Sequence, residues 1–210
     1  MILKKFVCGQ LQNNVILIGC EKTKEAVVVD PAEDSFSPVV SFADKYCLHL
    51  TKILLTHSHW DHIFEACLFK KEKQLPIWIH KKDHANLEHP GKDQIPFPEK
   101  FSGCKADHFV EDGEEFFVGK VLLRVLHTPG HTPGSVCYYL PKEGVLLSGD
   151  TLFKGCIGTI ALPTSQAPLM WSSCQKLSLL PPKTRVIPGH GVETEIGKEQ
   201  WLEKASEYFG

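Results

Sequence analysis

Residues Leu54 to His62 read LLTHSHWDH, which places His57, His59, Asp61 and His62 within six positions directly after an apolar run. Three imidazoles and a carboxylate beside a buried strand are expensive to desolvate unless a cation satisfies them. In an extended segment, residues two apart face the same side, so His57 and His59 can aim both rings at one ion as the strand ends. Asp61 and His62 are adjacent where the chain turns into a helix. They diverge and suit a neighbouring ion. Imidazole nitrogen and carboxylate oxygen are ligands that zinc, iron and manganese accept. The plain alternative is an exposed, histidine-rich turn.

One cluster cannot complete two coordination spheres, so other strand ends must supply ligands. His131 lies in HTPGHTPGS between two expected strands, Asp150 in LLSGDTLF directly after one, and His190 in RVIPGHG directly after another. All three sit in glycine-flanked turns, where backbone approaches a site closely. The remaining candidates are weaker. His127 could hydrogen-bond a ligand or simply pack, and His80, with Asp83 three residues on, could border the pocket. His49, His84, His89 and His108 have no supporting pattern. Trp60 reads as a packing or pocket-wall residue and Cys156 as a packing residue.

Hydrophobic and turn patterning predicts strands over Ile2–Cys8, Asn14–Glu21, Ala26–Asp30, Lys52–Thr56 and Pro76–His80 in the first half. A helix is predicted over Pro38–Cys47 and another from near Asp61. Lys81 to Phe109 reads as helix plus irregular surface loop. The second half predicts strands over Glu115–Phe117, Lys120–His127, Ser135–Leu140, Gly144–Ser148 and Thr184–Ile187. Its helices are predicted over Gln166–Leu179 and from about Gly197 to Tyr208. Strands followed by helix and strand, twice, imply a mixed α/β (α+β) fold, a four-layer αββα sandwich formed as a single domain over residues 1–210.

A net charge of −2 gives no electrostatic case for nucleic acid or an anionic membrane. No apolar run approaches the roughly 18 residues that span a bilayer, and the N-terminus lacks a secretory pattern. The eight cysteines include no CxxC pair, so they read as reduced, mostly buried thiols in a cytoplasmic protein.

THSHWDH, TPGHTPGS, SGDTLF and PGHG, in that order, resemble the metallo-β-lactamase-fold hydrolases, with SGDTLF and PGHG similar to the glyoxalase II-like branch in its small, single-domain form. The resemblance implies that His57, His59 and His131 bind one metal. Asp61, His62 and His190 would bind a second, with Asp150 bridging. The cofactors would be two divalent ions, zinc being expected and iron or manganese acceptable. A shared hydroxide would attack a carbonyl, with Asp61 and Asp150 as the catalytic carboxylates. A thiolate leaving group needs no proton donor, so the expected partner is a small thioester or ester, as for a hydroxyacylglutathione hydrolase.

Two departures bear on the substrate. Only residues 191–210 follow the last motif, where glyoxalase II continues into a helical domain. Thr159 stands where this branch usually carries the arginine of a "GR" pair, and Lys154 is the one nearby cation that could replace it. The alternatives are a persulfide dioxygenase with one iron on His57, His131 and Asp150, or a non-catalytic or other-substrate member such as a lactonase or phosphodiesterase.

Overall fold

The computed structural model of the chain describes residues 1–98 and 102–210. Its first half runs β1 (Ile2–Cys8), β2 (Asn13–Gly19), β3 (Glu25–Val29), α1 (Phe36–Lys45), β4 (His49–Leu54), α2 (Trp60–Ile63), α3 (Ala66–Lys73), β5 (Ile77–His80), α4 (His84–Glu88) and β6 (His108–Val110). The second half runs β7 (Glu115–Val118), β8 (Val121–His127), β9 (Val136–Leu140), β10 (Val145–Gly149), β11 (Leu152–Phe153), β12 (Cys156–Ile157), α5 (Ala167–Ser178), β13 (Arg185–Pro188), β14 (Thr194–Glu195) and α6 (Ala205–Phe209).

Two six-stranded sheets result, ordered β1-β2-β3-β4-β5-β6 and β14-β13-β10-β9-β8-β7. Every residue of β2 is buried because both its faces are covered. Side chains alternate across a strand. Val15 and Leu17 therefore pack with Val39 of α1 and Phe69 of α3, while Ile16 and Ile18 meet Leu123, Tyr138 and Leu147 of the other sheet. On the far side Tyr139 and Leu146 pack under Met170 and Leu177 of α5. These three cores are the interfaces of an αββα sandwich. The fold class predicted from the sequence holds.

Topology then gathers the candidate site. β3, β4, β5 and β6 pair in parallel, as do β10 and β13, so their C-terminal ends share an edge of each sheet. The two edges are joined there. Val136 N–H donates to Thr56 O at 2.8 Å, and the buried Tyr138 hydroxyl donates to Leu55 O at 3.0 Å.

Some expectations need correction. The single helix expected from Gly197 to Tyr208 is two short 3-10 turns and α6. Glu199 interrupts it, its carboxylate accepting from Gly155 N, Trp201 Nε1 and Thr194 Oγ1. The stretch from Lys81 to Phe109 contains α4 and the start of β6, and residues 99–101 within it lie outside those described. Among the cysteines, Cys67 and Cys104 form a disulfide, against the expectation of reduced thiols throughout. Their 37-residue separation carries no local signature. The pairing follows from Lys70 of α3, which binds Lys105 O and Asp107 and lays that segment along the helix. Cys156 is exposed rather than packed. Among the described residues no helix is long and apolar enough to cross a membrane.

Candidate metal centre

All seven residues singled out by the motifs converge. His57, His59 and His131 each offer one nitrogen within 4.8 Å of the others, and Asp61, His62 and His190 form a second such trio. The first trio comes from the end of β4 and the β8–β9 loop. The second comes from α2 and the turn after β13.

The imidazoles are oriented from behind. His57 Nδ1 lies 3.0 Å from Thr56 Oγ1, and that hydroxyl donates to Asp30 Oδ2 at 2.6 Å. His62 Nδ1 lies 3.0 Å from Asp30 Oδ2. His131 Nδ1 lies 2.8 Å from Thr159 O, and His190 Nδ1 lies 2.9 Å from Leu11 O. Each acceptor takes the Nδ1 proton and leaves Nε2 as a bare lone pair facing inward. The Nε2 atoms of His57, His59 and His131 and Oδ1 of Asp150 are buried without a hydrogen-bond partner. Orphaned polar atoms of this kind cost about 1–3 kcal/mol each. The three orphaned nitrogens, all within 4.8 Å of one another, fit a cation.

Asp150 sits between the trios. Its Oδ2 lies 3.6 Å from both His131 Nε2 and His190 Nε2, and its Oδ1 lies 3.4 Å from His62 Nε2. Gly189 is glycine for this reason: a Cβ there would overlap Asp150 Oδ1 and come within 2.6 Å of His62 Cε1. Asp61 Oδ2 lies 3.2 Å from His190 Nε2 and 3.4 Å from His62 Nε2, and accepts from Asn13 Nδ2 at 2.7 Å.

Electrostatics separates the trios. Burial, then the neighbouring imidazoles, holds His57 well below its ordinary pKa and pushes His59 down to about 3. Both stay neutral, the state in which imidazole binds a metal. Burial also opposes charge on His62 and His190, yet Asp61 and Asp150 outweigh it and raise both. Burial would raise Asp61 and Asp150, but His62 and its neighbours bring them down. The carboxylates thus demand positive charge here, as protons on His62 and His190 or as a cation in their place.

Asp30 and Asn13 were not marked by any motif. Asp30 ends β3, is buried, and takes Thr56 N at 2.7 Å as well as the two contacts above. Its oxygens are committed to these donors, so it supports the ligands although it also falls in a trio with His57 and His62. In VVVDPAED this aspartate reads as the end of the strand expected over Ala26–Asp30, and only the fold reveals its neighbours. Among the described residues the ring of His127 meets His80 and Pro133. It stacks on His80 at 4.0 Å and binds Pro133 O at 3.0 Å, bracing the loop that carries His131. His80 and His127 line a cavity of about 460 Å³ that none of the seven residues lines. Trp60 packs against the first core, and His108 pairs with Glu114 at 2.8 Å.

Comparison with known proteins gives the family. Residues 8–190 match the family model of the metallo-beta-lactamase superfamily. A probable metallo-hydrolase, YqgX of Bacillus subtilis, is 38% identical over 94% of this chain and 93% of its own length. The hydroxyacylglutathione hydrolase of Pelagibacter ubique is 32% identical over 86% of this chain but 67% of its own length. Among solved structures, BLEG-1 B3 metallo-beta-lactamase superposes with a TM-score of 0.87 at 33% identity, covering 96% of this chain and 99% of its own. TTHA1623 in a di-iron-bound form superposes with a TM-score of 0.80 at 31% identity, covering 93% and 96%.

Proposed function

The chain belongs to the metallo-beta-lactamase superfamily, and we propose that it is a dinuclear metal-dependent hydrolase of small thioesters or esters. The observation that carries this reading is Asp150, whose two oxygens face both histidine trios at once. His57, His59 and His131 would hold one ion, Asp61, His62 and His190 the other, and Asp150 both. When bound, two divalent ions supply Lewis acidity for a carbonyl oxygen and lower the pKa of water towards about 7. Zinc suits this nitrogen-rich donor set, and the di-iron form of a similar protein makes iron a second choice.

The chain's own groups do the rest. Asn13 and the imidazoles keep Asp61 ionised and aimed inward, so its carboxylate can take the proton of an attacking water. The His190 side chain is 24% exposed while the other six ligand side chains are at most 12% exposed or buried, so substrate enters from the His190 side. An amine must take up a proton as it leaves, and the buried His57 and His59 stay neutral and have none to give. A thiolate departs without one, which favours thioesters. The similarity to a hydroxyacylglutathione hydrolase supports the same class.

A dioxygenase with a single iron would need His57, His131 and Asp150 alone. The convergence of Asp61, His62 and His190 as a second trio favours two ions and hydrolysis. The test is a parallel assay of thioesters, lactones, phosphodiesters and β-lactams with the wild type and Asp150→Ala. Thioester turnover that falls at least a hundredfold in Asp150→Ala is expected. Unchanged thioester turnover in that variant would overturn the reading.

A further inference from the structure

We propose that Asp83 is a positioning residue that sets the spacing of the first metal trio by clamping its two loops together. This rests on the two-ion reading above. Asp83 ends the short turn after β5 and is 3% exposed. Its Oδ2 accepts the backbone N–H of Ser58 at 3.0 Å and the hydroxyl of Thr132 at 2.8 Å. Its Oδ1 accepts the backbone N–H of Gly134 at 2.6 Å. Ser58 stands between His57 and His59, while Thr132 and Gly134 follow His131.

The two loops belong to different sheets, one after β4 and the other between β8 and β9. A single carboxylate therefore spans the gap that the first ion must also span. Holding the peptide N–H of Ser58 fixes the backbone between His57 and His59, and with it the position from which both rings project. Gly134 is shaped to the same clamp, since a Cβ there would overlap Asp83 Oδ1 and approach its Cγ to 2.6 Å. Among the described residues the hydrogen bonds of Asp83 all go to the two loops of the first trio, so its effect falls on that trio. All three donors point at an acceptor-only carboxylate. An amide would supply one oxygen and set its own N–H groups against a donor.

The experiment measures zinc affinity with the chain reduced to one site at a time. In an Asp61→Ala background, which leaves the first trio, Asp83→Asn is expected to weaken zinc binding about 10- to 100-fold. In a His59→Ala background, which leaves the second trio, it should change nothing. Thr132→Val, which removes one donor and keeps the charge, should act in the same direction on the first trio with a smaller loss and a native fold. Hydrogen exchange of the Ser58 and Gly134 amides in the zinc-free chain should rise in Asp83→Asn. Equal losses in both backgrounds, or no loss for Asp83→Asn and Thr132→Val in the first, would overturn the clamp. Absence of zinc binding in the unsubstituted chain would overturn the two-ion reading and the clamp with it.

Discussion

The Nδ1 of His131 lies 2.8 Å from the backbone carbonyl oxygen of Thr159. Position 159 is where the resemblance to the glyoxalase II-like branch leads one to expect an arginine, yet what it gives the candidate site is backbone, not side chain. Chemistry and substrate preference are therefore separable here. Thr159→Ala should keep its metal content unchanged. Thr159→Arg should raise kcat/KM on a glutathione thioester by about two- to fivefold, the return of one exposed ion pair at 0.2–1 kcal/mol. Loss of metal in either variant would contradict the assignment, and is read by elemental analysis.

Asp30 holds Thr56 and His62 together. Asp30→Asn leaves one acceptor oxygen where three donors converge, so His62 loses its fixed orientation. The second site should lose about 10- to 100-fold in metal affinity. Asp30→Ala should also destabilise the fold by about 3 kcal/mol, because it orphans buried donors. Isothermal titration and thermal melts measure the two effects.

Acid should empty the trios in order. His62 and His190 have raised pKa values, so they bind protons at higher pH than an ordinary histidine, and an ion in the second trio must displace those protons. Its affinity therefore falls as pH drops from above the usual 6.5. His57 lies well below 6.5 and His59 at about 3, so these two ligands of the first trio remain neutral through pH 5. Dialysis between pH 8 and pH 5 should show one ion lost before the other. The first to leave should be the one missing in Asp61→Ala.

Disulfide formation between Cys67 and Cys104 leaves six free cysteines among the eight of the sequence. Thiol labelling of the denatured, unreduced protein should therefore give six, rising to eight after reduction. Closing a loop of this length stabilises by about 4 kcal/mol in the chain-entropy model. A reducing agent should lower the melting temperature accordingly.

The sequence pointed to the clustered residues because most are polar residues placed where an apolar strand stops. His57, Asp150 and His190 are all legible in that way. The long strands were legible for a related reason, since β9 and the part of β2 from Val15 onward are buried on both faces and read as apolar runs. What was hidden depends on partners distant in sequence. Asp30 reads only as a strand end and Asp83 only as a companion of His80 until β4 and the His131 loop arrive beside them. β6 and β14 are too short to carry a pattern, and the C-terminal helix fails because Glu199 ties down a segment with good helical periodicity. The disulfide was invisible because α3 and the segment before β6 meet only in the fold.

Metal stoichiometry tests the central claim most directly. Purified protein analysed for zinc, iron and manganese should contain two ions per chain, falling to one in His59→Ala and to one in Asp61→Ala, with thioester hydrolysis lost when the ions are chelated. A single iron per chain that is unaffected by Asp61→Ala, together with oxygen uptake on glutathione persulfide, would contradict it.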